Sequence, residues 1–369
     1  MPREVALATI YDVAKVAGVS PKTVSRVLNG DAPVNEKTRE AVHAAMAELS
    51  YIPSNAARSM RSQKSGLVGM ITGAISMSAL AGEAVGLPDI YIVQGAQRIL
   101  DQHGKTILIT DTGGHAERVP ALVQTLLEHR AEGLIYVAGF HQEVELPASL
   151  KGRPVVLVNC FDALGTPAVV PDDMGGEHAL VAGLIARGHR RIGFLTLPEA
   201  QAQAARPLRL AGYRRALEEA GIPYDRELVL TGALFDPIHE YDYLWDALDR
   251  LLRLEPRPSV ICCANDKMAM RVYALLRERG LRIPEDISVA GYDDYRIICE
   301  HLHPTLTSVE LPYGAMGVRA AEKLLRLINS TTKPNEAAKE LVSGPVTWRQ
   351  SVSVSDSKVT EFIPRRRET

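Results

Sequence analysis

Apolar and polar positions follow two rhythms along this chain, and the change falls near residue 65. Before it, apolar residues recur at three- and four-residue spacing, the period of helices. Val13, Ala14 and Ala17 make one face, Val24 and Val27 a second, and Val42, Ala45, Met46 and Leu49 a third. Beyond it, short apolar and β-branched runs alternate with longer helical stretches. The runs are GLVGMIT, KTILIT, GLIYVA, PVVLVN, RIGFLT, SVICCA and ISVAGY. The helical stretches are Tyr91 to Gln102, Ala121 to His129, Glu177 to Ala186, Leu210 to Ala220, Tyr243 to Leu252 and Met268 to Arg279. Repeated strand-then-helix predicts an α/β body with parallel, doubly wound sheets. Near-continuous apolar runs predict strands covered on both faces.

The punctuation of the first segment is explicit. Thr9 is a good N-cap, and Asp12 three residues on completes a capping-box pattern. Gly18 supplies a turn that tolerates positive φ. Ser20 caps a second helix, with Pro21 at its first position, where a missing N–H costs nothing. Small Ala14 lets the two helices cross closely, as a helix-turn-helix requires. Lys22, Thr23, Ser25 and Arg26 are left facing outward, a short, polar, basic face that suits a major groove. The same residues can also be read as an ordinary helical hairpin with solvated charges. Asn35 caps a third helix to about Leu49, closing a three-helix core. Asn29 and Gly30 form the loop before it, where Asn29 is within reach of phosphate. Tyr51-Ile52-Pro53 ends this headpiece. The following SNAARSMR, Ser54 to Arg61, permits helix but is too short to hold one alone.

Length and composition narrow the class. At 369 residues the chain is expected to form two or three domains. With 46% hydrophobic and 23% charged residues it reads as folded rather than disordered. No apolar run is long enough to span a bilayer, and MPREVALAT lacks a signal-peptide core, so a cytoplasmic location is expected. Cys160, Cys262, Cys263 and Cys299 match no metal or disulfide spacing. Adjacent Cys262 and Cys263 in a strand must face opposite sides. Residues 1–65 hold nine Lys or Arg against six Asp or Glu, while the whole chain is at −2. A basic head on an acidic body fits a head that meets phosphates.

Chemistry concentrates at strand ends. Asp293 and Asp294 end SVAGY, Asn265 and Asp266 end VICCA, and Asn159 ends VVLV. Arg209 opens the helix after RIGFL. Ligands of parallel sheets bind at such ends and between lobes. Carboxylates and amides beside an arginine suit vicinal hydroxyls, and Phe235 offers an aromatic face for a sugar ring. Asp and Asn at strand ends also cap the next helix. Asp266 is read as such a cap, and Asp294 fits either role. His189 is read as structural. His301 and His303 lack a third metal ligand, so no metal is expected. No Walker loop, GxGxxG, GxSxG, HExxH or CxxC is present. Asp293 and Asp294 could imitate a glycosidase pair, but neighbouring residues on a strand diverge. No enzyme activity, catalytic residue or cofactor is expected.

Thr9 to Ser65 resembles the lactose-repressor (LacI/GalR) family of bacterial transcription regulators. The resemblance runs through YDVAKVAGVS, TVSRVLNG, the capped helix after VNEKTRE, ELSYIP and AARSMRS. It continues at lower identity through Val352, most clearly in GHRRIGFL, RLAGYRRAL, NDKMA and IPEDISVAGYDD. The resemblance implies an all-α helix-turn-helix headpiece with a hinge helix, and a two-lobed core like that of periplasmic binding proteins. The implied plan is an arm at 1–8, headpiece 9–53, hinge 54–65, core 66–352 and tail 353–369. Lobe 1 is expected at about 66–168 and 303–330, and lobe 2 at about 171–300 and 333–352. Crossings fall near Pro167–Pro171, Glu300–Pro304 and Asn329–Pro334.

The resemblance also implies DNA contacts at Thr9, Tyr11, Ser20, Pro21, Lys22, Thr23, Ser25, Arg26, Asn29, Tyr51, Asn55, Ala57 and Met60. Lys22, Thr23 and Arg26 would meet base edges. Met60, where the family more often has Leu, would wedge into the minor groove. Arg209 and Asp293 match the principal effector contacts, and Asn265, Phe235 and Asn159 match frequent ones, the last usually Asp. Met77 and Ala79 match opening-loop contacts. The implied partners are an operator DNA duplex, a sugar or glycoside effector, and a second copy of the chain, since the tail lacks the leucine heptads that join dimers. A corepressor, a phosphoprotein partner, or a sugar-sensing body without DNA binding remain open alternatives.

Overall fold

The computed structural model describes residues 8–29, 33–52, 64–73, 89–198, 204–232, 240–330 and 339–354. Asn55, Ala57, Met60, Met77, Ala79 and Phe235 lie outside these residues, as do the side chain of Asn29 and most of the arm, hinge and tail. Backbone contacts divide the chain into residues 1–66 and 67–369.

The first unit holds three helices: α1 (Ile10–Val16), α2 (Pro21–Asn29) and α3 (Glu36–Glu48). The Thr9–Asp12 capping box forms reciprocally, with Thr9 N donating to Asp12 Oδ2 at 2.8 Å. Gly18 takes φ 65° at the turn. Ser20 Oγ accepts from Thr23 N at 3.1 Å, and Asn35 Oδ1 from Lys37 N at 3.0 Å. Val13, Ala14, Val24, Val42 and Ala45 form the buried core, with Tyr51 packed against it. Five small or β-branched side chains make a thin core. Its helices are therefore held by caps as much as by burial.

The second unit contains two six-stranded sheets. The first is built from β1 (Leu67–Thr72), β2 (Thr106–Asp111), β3 (Leu134–Glu143), β4 (Val155–Phe161), β5 (Ala168–Pro171) and β11 (Lys339–Val342), in the order β11-β5-β4-β3-β1-β2. Every pairing in it is parallel. The second is built from β6 (Ile192–Thr196), β7 (Val229–Thr231), β8 (Val260–Cys263), β9 (Ser288–Asp293), β10 (Thr307–Glu310) and β12 (Val346–Thr347), in the order β12-β10-β9-β8-β6-β7. Only β12 runs antiparallel there, against β10. All seven apolar runs read from the sequence are strands.

Helices cover both faces of each sheet. Ile92 and Ala96 of α4 (Asp89–Gln102) and Met316 and Ala320 of α10 (Tyr313–Asn329) bury Val68, Met70 and Ile135. The other face packs Ile71, Leu134 and Leu157 on Val123 and Leu126 of α5 (Val119–Glu128). In the second sheet, Phe194, Cys262 and Tyr292 lie with Leu180 of α6 (Asp173–Ala186) and Tyr213 of α7 (Ala205–Glu219). Leu195, Ile261 and Cys263 turn the other way, onto α8 (Glu240–Leu252) and α9 (Asp266–Glu278). Cys262 and Cys263 thus occupy opposite faces, and all four cysteines are free and buried. Each fully buried Leu, Ile or Phe contributes about 1.5–3 kcal/mol of transfer free energy.

The second and third crossings between sheets differ from those expected. The first lies immediately after β5, which still pairs with β4 in the first sheet. The second lies after Glu310, not at Glu300–Pro304, because Thr307–Glu310 pairs with β9. The third falls between Val342 and Val346, not at Asn329–Pro334, because Lys339–Val342 pairs with β5. β10, β11 and β12 are two to four residues long and partly polar, so they are held by an existing sheet edge rather than by an apolar run of their own.

Residues 351–353 are stitched to the end of the second sheet where β9 begins. Val289 N donates to Ser351 O, Ser353 N donates to Ser288 Oγ, and His189 Nε2 lies 3.1 Å from Ser353 O. His189 Nδ1 meets Ser259 Oγ at 2.8 Å, so its role is structural, as read. Burial pushes its pKa below the ordinary value.

Candidate functional site

On the first unit the candidate surface is α2 and its approaches. Lys22 and Arg26 are exposed, as is Tyr11, at 71%. Thr23 and Ser25 are half-buried, and the Thr23 hydroxyl lies 2.9 Å from Ser20 Oγ. Pro21 begins the helix and Thr9 is exposed. A helix whose inner side is Val24 and whose outer side is Lys22 and Arg26 can offer its cations without disturbing the core.

In the second unit the candidate site lies at the C-terminal ends of β6, β8 and β9. Arg209 on α7 is the anchor and is 5% exposed. Its Nε donates to Asp173 Oδ1 at 2.7 Å, and its Nη1 donates to the Ala264 carbonyl. Its guanidinium stacks 3.6 Å above the Tyr292 ring. Asp173 sits in the first turn of α6, because Asp172 before it takes the capping role, accepting from Gly175 N at 2.9 Å. Gly212 lets α7 approach α6 this closely: a Cβ there would fall 2.3 Å from the Met174 carbonyl.

Asp173 also accepts from His141 Nδ1 at 2.7 Å, and both side chains are sealed from solvent. His141 belongs to β3 of the first sheet, so this pair ties the two lobes. Burial alone would raise the Asp173 pKa, but Arg209 and His141 more than offset it and hold the carboxyl below its ordinary value. Burial would likewise discharge Arg209, and Asp173 keeps it charged. Glu177, one turn along α6, has no such partner. Burial pushes it up to about 8, Arg209 opposing and Asp173 reinforcing the shift. Its Oε1 and the Thr196 hydroxyl are buried without a hydrogen-bond partner among the described residues.

The backbone separates the two aspartates that end β9. Asp293 has φ 116° and Asp294 φ 49°, both in the left-handed half of the map, which favours glycine. Asp294 turns to the far edge of the sheet, where it meets Arg349 Nη1 at 2.7 Å and Thr347 Oγ1 at 3.1 Å. Asp293 stays at the site. Burial and then the Asp266 carboxyl push its pKa well above the ordinary range, with Arg209 opposing. Asp266 is structural but is not the helix cap it was read to be, since Asn265 takes that place; it accepts instead from Ser308 Oγ at 2.6 Å and Tyr295 N at 2.7 Å. Asn265 caps α9, its Oδ1 accepting from Met268 N at 2.8 Å, and stays half-buried beside Ala264. Asn159, at φ 57°, turns its amide to the Ala138 carbonyl at 3.0 Å and is 1% exposed, so it does not join the Arg209 group.

The structure therefore brings together Arg209, Asp293 and Asn265, and adds Asp173, Glu177, Tyr292 and His141, which the sequence reading passed over. One signal was available. Asp173 and Glu177 are four apart on one helix, and Arg209 and Tyr213 four apart on the next, so each pair shares a face. Among the described residues no helix is long and apolar enough to cross a membrane.

Comparison with known proteins bears on both units. Residues 9–54 match the model for bacterial regulatory proteins of the lacI family, and residues 181–352 match a periplasmic binding protein-like domain. The ribose operon repressor of Haemophilus influenzae is 31% identical over 355 residues, covering 94% of this chain and 99% of that protein. The transcriptional repressor PurR of Vibrio atlanticus is 33% identical, covering 87% and 92%. Among solved structures, the lac repressor dimer bound to operator and an anti-inducer superposes with a TM-score of 0.78 at 28% identity, covering 94% of this chain and 100% of that one. The CelR–cellobiose complex superposes with a TM-score of 0.63 at 31% identity, covering 93% and 99%. With the helix-turn-helix, the paired sheets and near full-length relatives in agreement, the chain belongs to the lacI family of bacterial regulatory proteins.

Proposed function

We propose that this protein is a dimeric, non-enzymatic transcription repressor of the bacterial cytoplasm, released from its operator when a sugar or glycoside fills the cleft at Arg209 and Asp293. The observation that carries this reading is the arrangement at the strand ends. A buried, charged arginine is fixed in orientation by Asp173 and Ala264, with Asp293 and Asn265 beside it. Paired donors and acceptors of that kind suit vicinal hydroxyls. Phe235, Met77, Ala79 and Asn159 are the further effector contacts in this reading.

On the DNA side, Lys22, Thr23 and Arg26, beside Pro21, address base edges. Thr9, Tyr11, Ser20, Ser25, Asn29 and Tyr51 support the docking, and Asn55, Ala57 and Met60 serve the minor groove. Residues 9–53 act as headpiece, 54–65 as hinge and the remainder to 352 as core. A two-fold dimer implies a pseudo-palindromic operator.

The test is fluorescence anisotropy on operator DNA, with ribose, cellobiose and a wider sugar panel as probes. Release by a sugar, lost in Arg209→Ala while DNA binding persists, is the expected result. A sugar that releases the mutant equally well would remove Arg209 from the site. The family resemblance leaves a second reading, in which the small molecule is a corepressor that strengthens DNA binding. The sign of the anisotropy change on adding a sugar or a nucleobase decides between the two.

A further inference from the structure

The crossings between the two sheets are tied to one another, and the tie runs on to Arg209. Asp172, in the first crossing, donates from N to Val342 O at 3.0 Å, and its Oδ2 accepts from Ser343 Oγ at 2.9 Å in the third. Glu310 N, at the second crossing, donates to Pro345 O at 2.9 Å. Asp173 is the next residue along, so it stands at the junction of the lobes as well as beside Arg209.

The Asp173 carboxylate serves both lobes. Its Oδ1 takes Arg209 Nε of the second lobe at 2.7 Å, and its Oδ2 takes His141 Nδ1 of the first lobe at 2.7 Å. Facing an ionised carboxylate, Nδ1 carries the imidazole proton. His141 reaches Asp173 from an irregular stretch of β3. Between paired positions β3 runs from Val137 to Gln142, while β4 runs only from Val158 to Cys160. Extra residues of this kind re-aim a side chain. Within its own lobe the ring stands edge-on to Phe161, with centroids 5.8 Å apart, and Lys339 Nζ lies 3.4 Å over the Phe161 ring. His141 is thus packed into one lobe and hydrogen-bonded to the other.

We propose that His141 is a positioning residue that braces the angle between the lobes, and that Asp173 joins this brace to Arg209. A contact at a junction moves little itself, while the rims of the lobes move far. A shift of Arg209 therefore shifts Asp173, and through His141 it changes the lobe angle. The functional consequence rests on the reading of Arg209 as an effector contact: occupancy there would be converted into lobe geometry through one shared carboxylate.

Pulsed dipolar spectroscopy on the full chain tests this with neither ligand nor DNA, so its failure is separate from failure of the sugar reading. Spin labels go on cysteines placed at exposed Ala121 of α5 and Glu218 of α7, the four native cysteines being buried. Dilution with unlabelled protein confines the reading to distances within one chain. His141→Phe keeps a ring against Phe161 and loses the N–H. His141→Asn keeps an N–H and loses the ring. The distance distribution is expected to at least double in width in His141→Phe and to hold the wild-type width in His141→Asn. A His141→Phe distribution equal to wild type overturns the brace, and so does His141→Asn as broad as His141→Phe. In the unsubstituted protein, nitrogen NMR is expected to show Nδ1 of His141 protonated, and an unprotonated Nδ1 overturns the brace whatever the variants do. Arg209→Lys, which keeps the charge but loses the planar fork, tests the link. It is expected to shift the distribution in the wild-type background and not in His141→Phe. An equal shift in both backgrounds, or none in the wild-type background, overturns the link to Arg209.

Discussion

The headpiece surface and the strand-end site proposed for the effector are built on opposite terms. In the headpiece, Lys22 and Arg26 stand on the outside of a helix whose inner face does the packing. In the cleft, Arg209 and Asp173 are themselves part of the packed interior. The first design separates recognition from stability, and the second fuses them. Substitutions at Lys22 and Arg26 should therefore change DNA affinity alone. Substitutions in the cleft should change ligand response and folding together.

The largest effect is expected from Arg209→Ala. Removing Arg209 leaves Asp173 with the His141 hydrogen bond as its remaining partner, and breaking a buried pair in this way typically costs about 3–5 kcal/mol. Urea unfolding should show that loss alongside the loss of ligand response. An Arg209→Ala protein as stable as wild type would mean that the cleft, like the headpiece, keeps binding and stability apart.

Glu177→Gln sharpens the contrast through pH. The Glu177 carboxyl titrates near 8 in the folded protein, against an ordinary value of 4.5. Between those values the unfolded chain gives up a proton that the folded chain keeps, so this residue lowers stability as pH rises from about 4.5 to 8. The variant should gain on wild type progressively across that window in thermal unfolding. Parallel curves would mean that Glu177 is charged where it sits.

Arg26→Ala is expected to cost about 1–3 kcal/mol of discrimination at one operator base pair, with stability changed by less than about 0.5 kcal/mol. Equal weakening on every DNA sequence would reassign Arg26 to phosphate. The smallest effect is expected from Thr9→Ala. Loss of the capping box should destabilise the headpiece by about 1 kcal/mol, measurable by unfolding of residues 1–66 followed in the full chain, while the melting of the core stays put.

The same contrast explains what could be read in advance. The headpiece was legible almost residue by residue, because caps, turn glycine and apolar spacing are local signals within a few positions of one another. The strands were legible because each is a buried apolar run. The short strands beside the crossings were not. Thr307–Glu310 and Lys339–Val342 mix polar and apolar residues, and what makes them strands is the neighbouring edge. In the cleft, Asp293 could be placed from its strand end, and Arg209 from the helix that follows β6. Their partners could not, because His141 and Asp173 lie 32 residues apart and Asp173 and Arg209 lie 36 apart. The separation of Asp293 from Asp294 was expected of neighbours on a strand, but the destination of Asp294 at Arg349 depends on β12, which sequence pattern alone does not reveal.

The stitching of Ser351–Ser353 has a practical side. It fixes that part of the chain to the end of the second sheet where β9 begins, the end opposite Asp293 and Arg209. A fluorophore or surface tether attached at Val354, which is exposed, would ride on a firm mount, away from the proposed ligand site. It could follow movement of the second lobe without standing in the doorway it reports on.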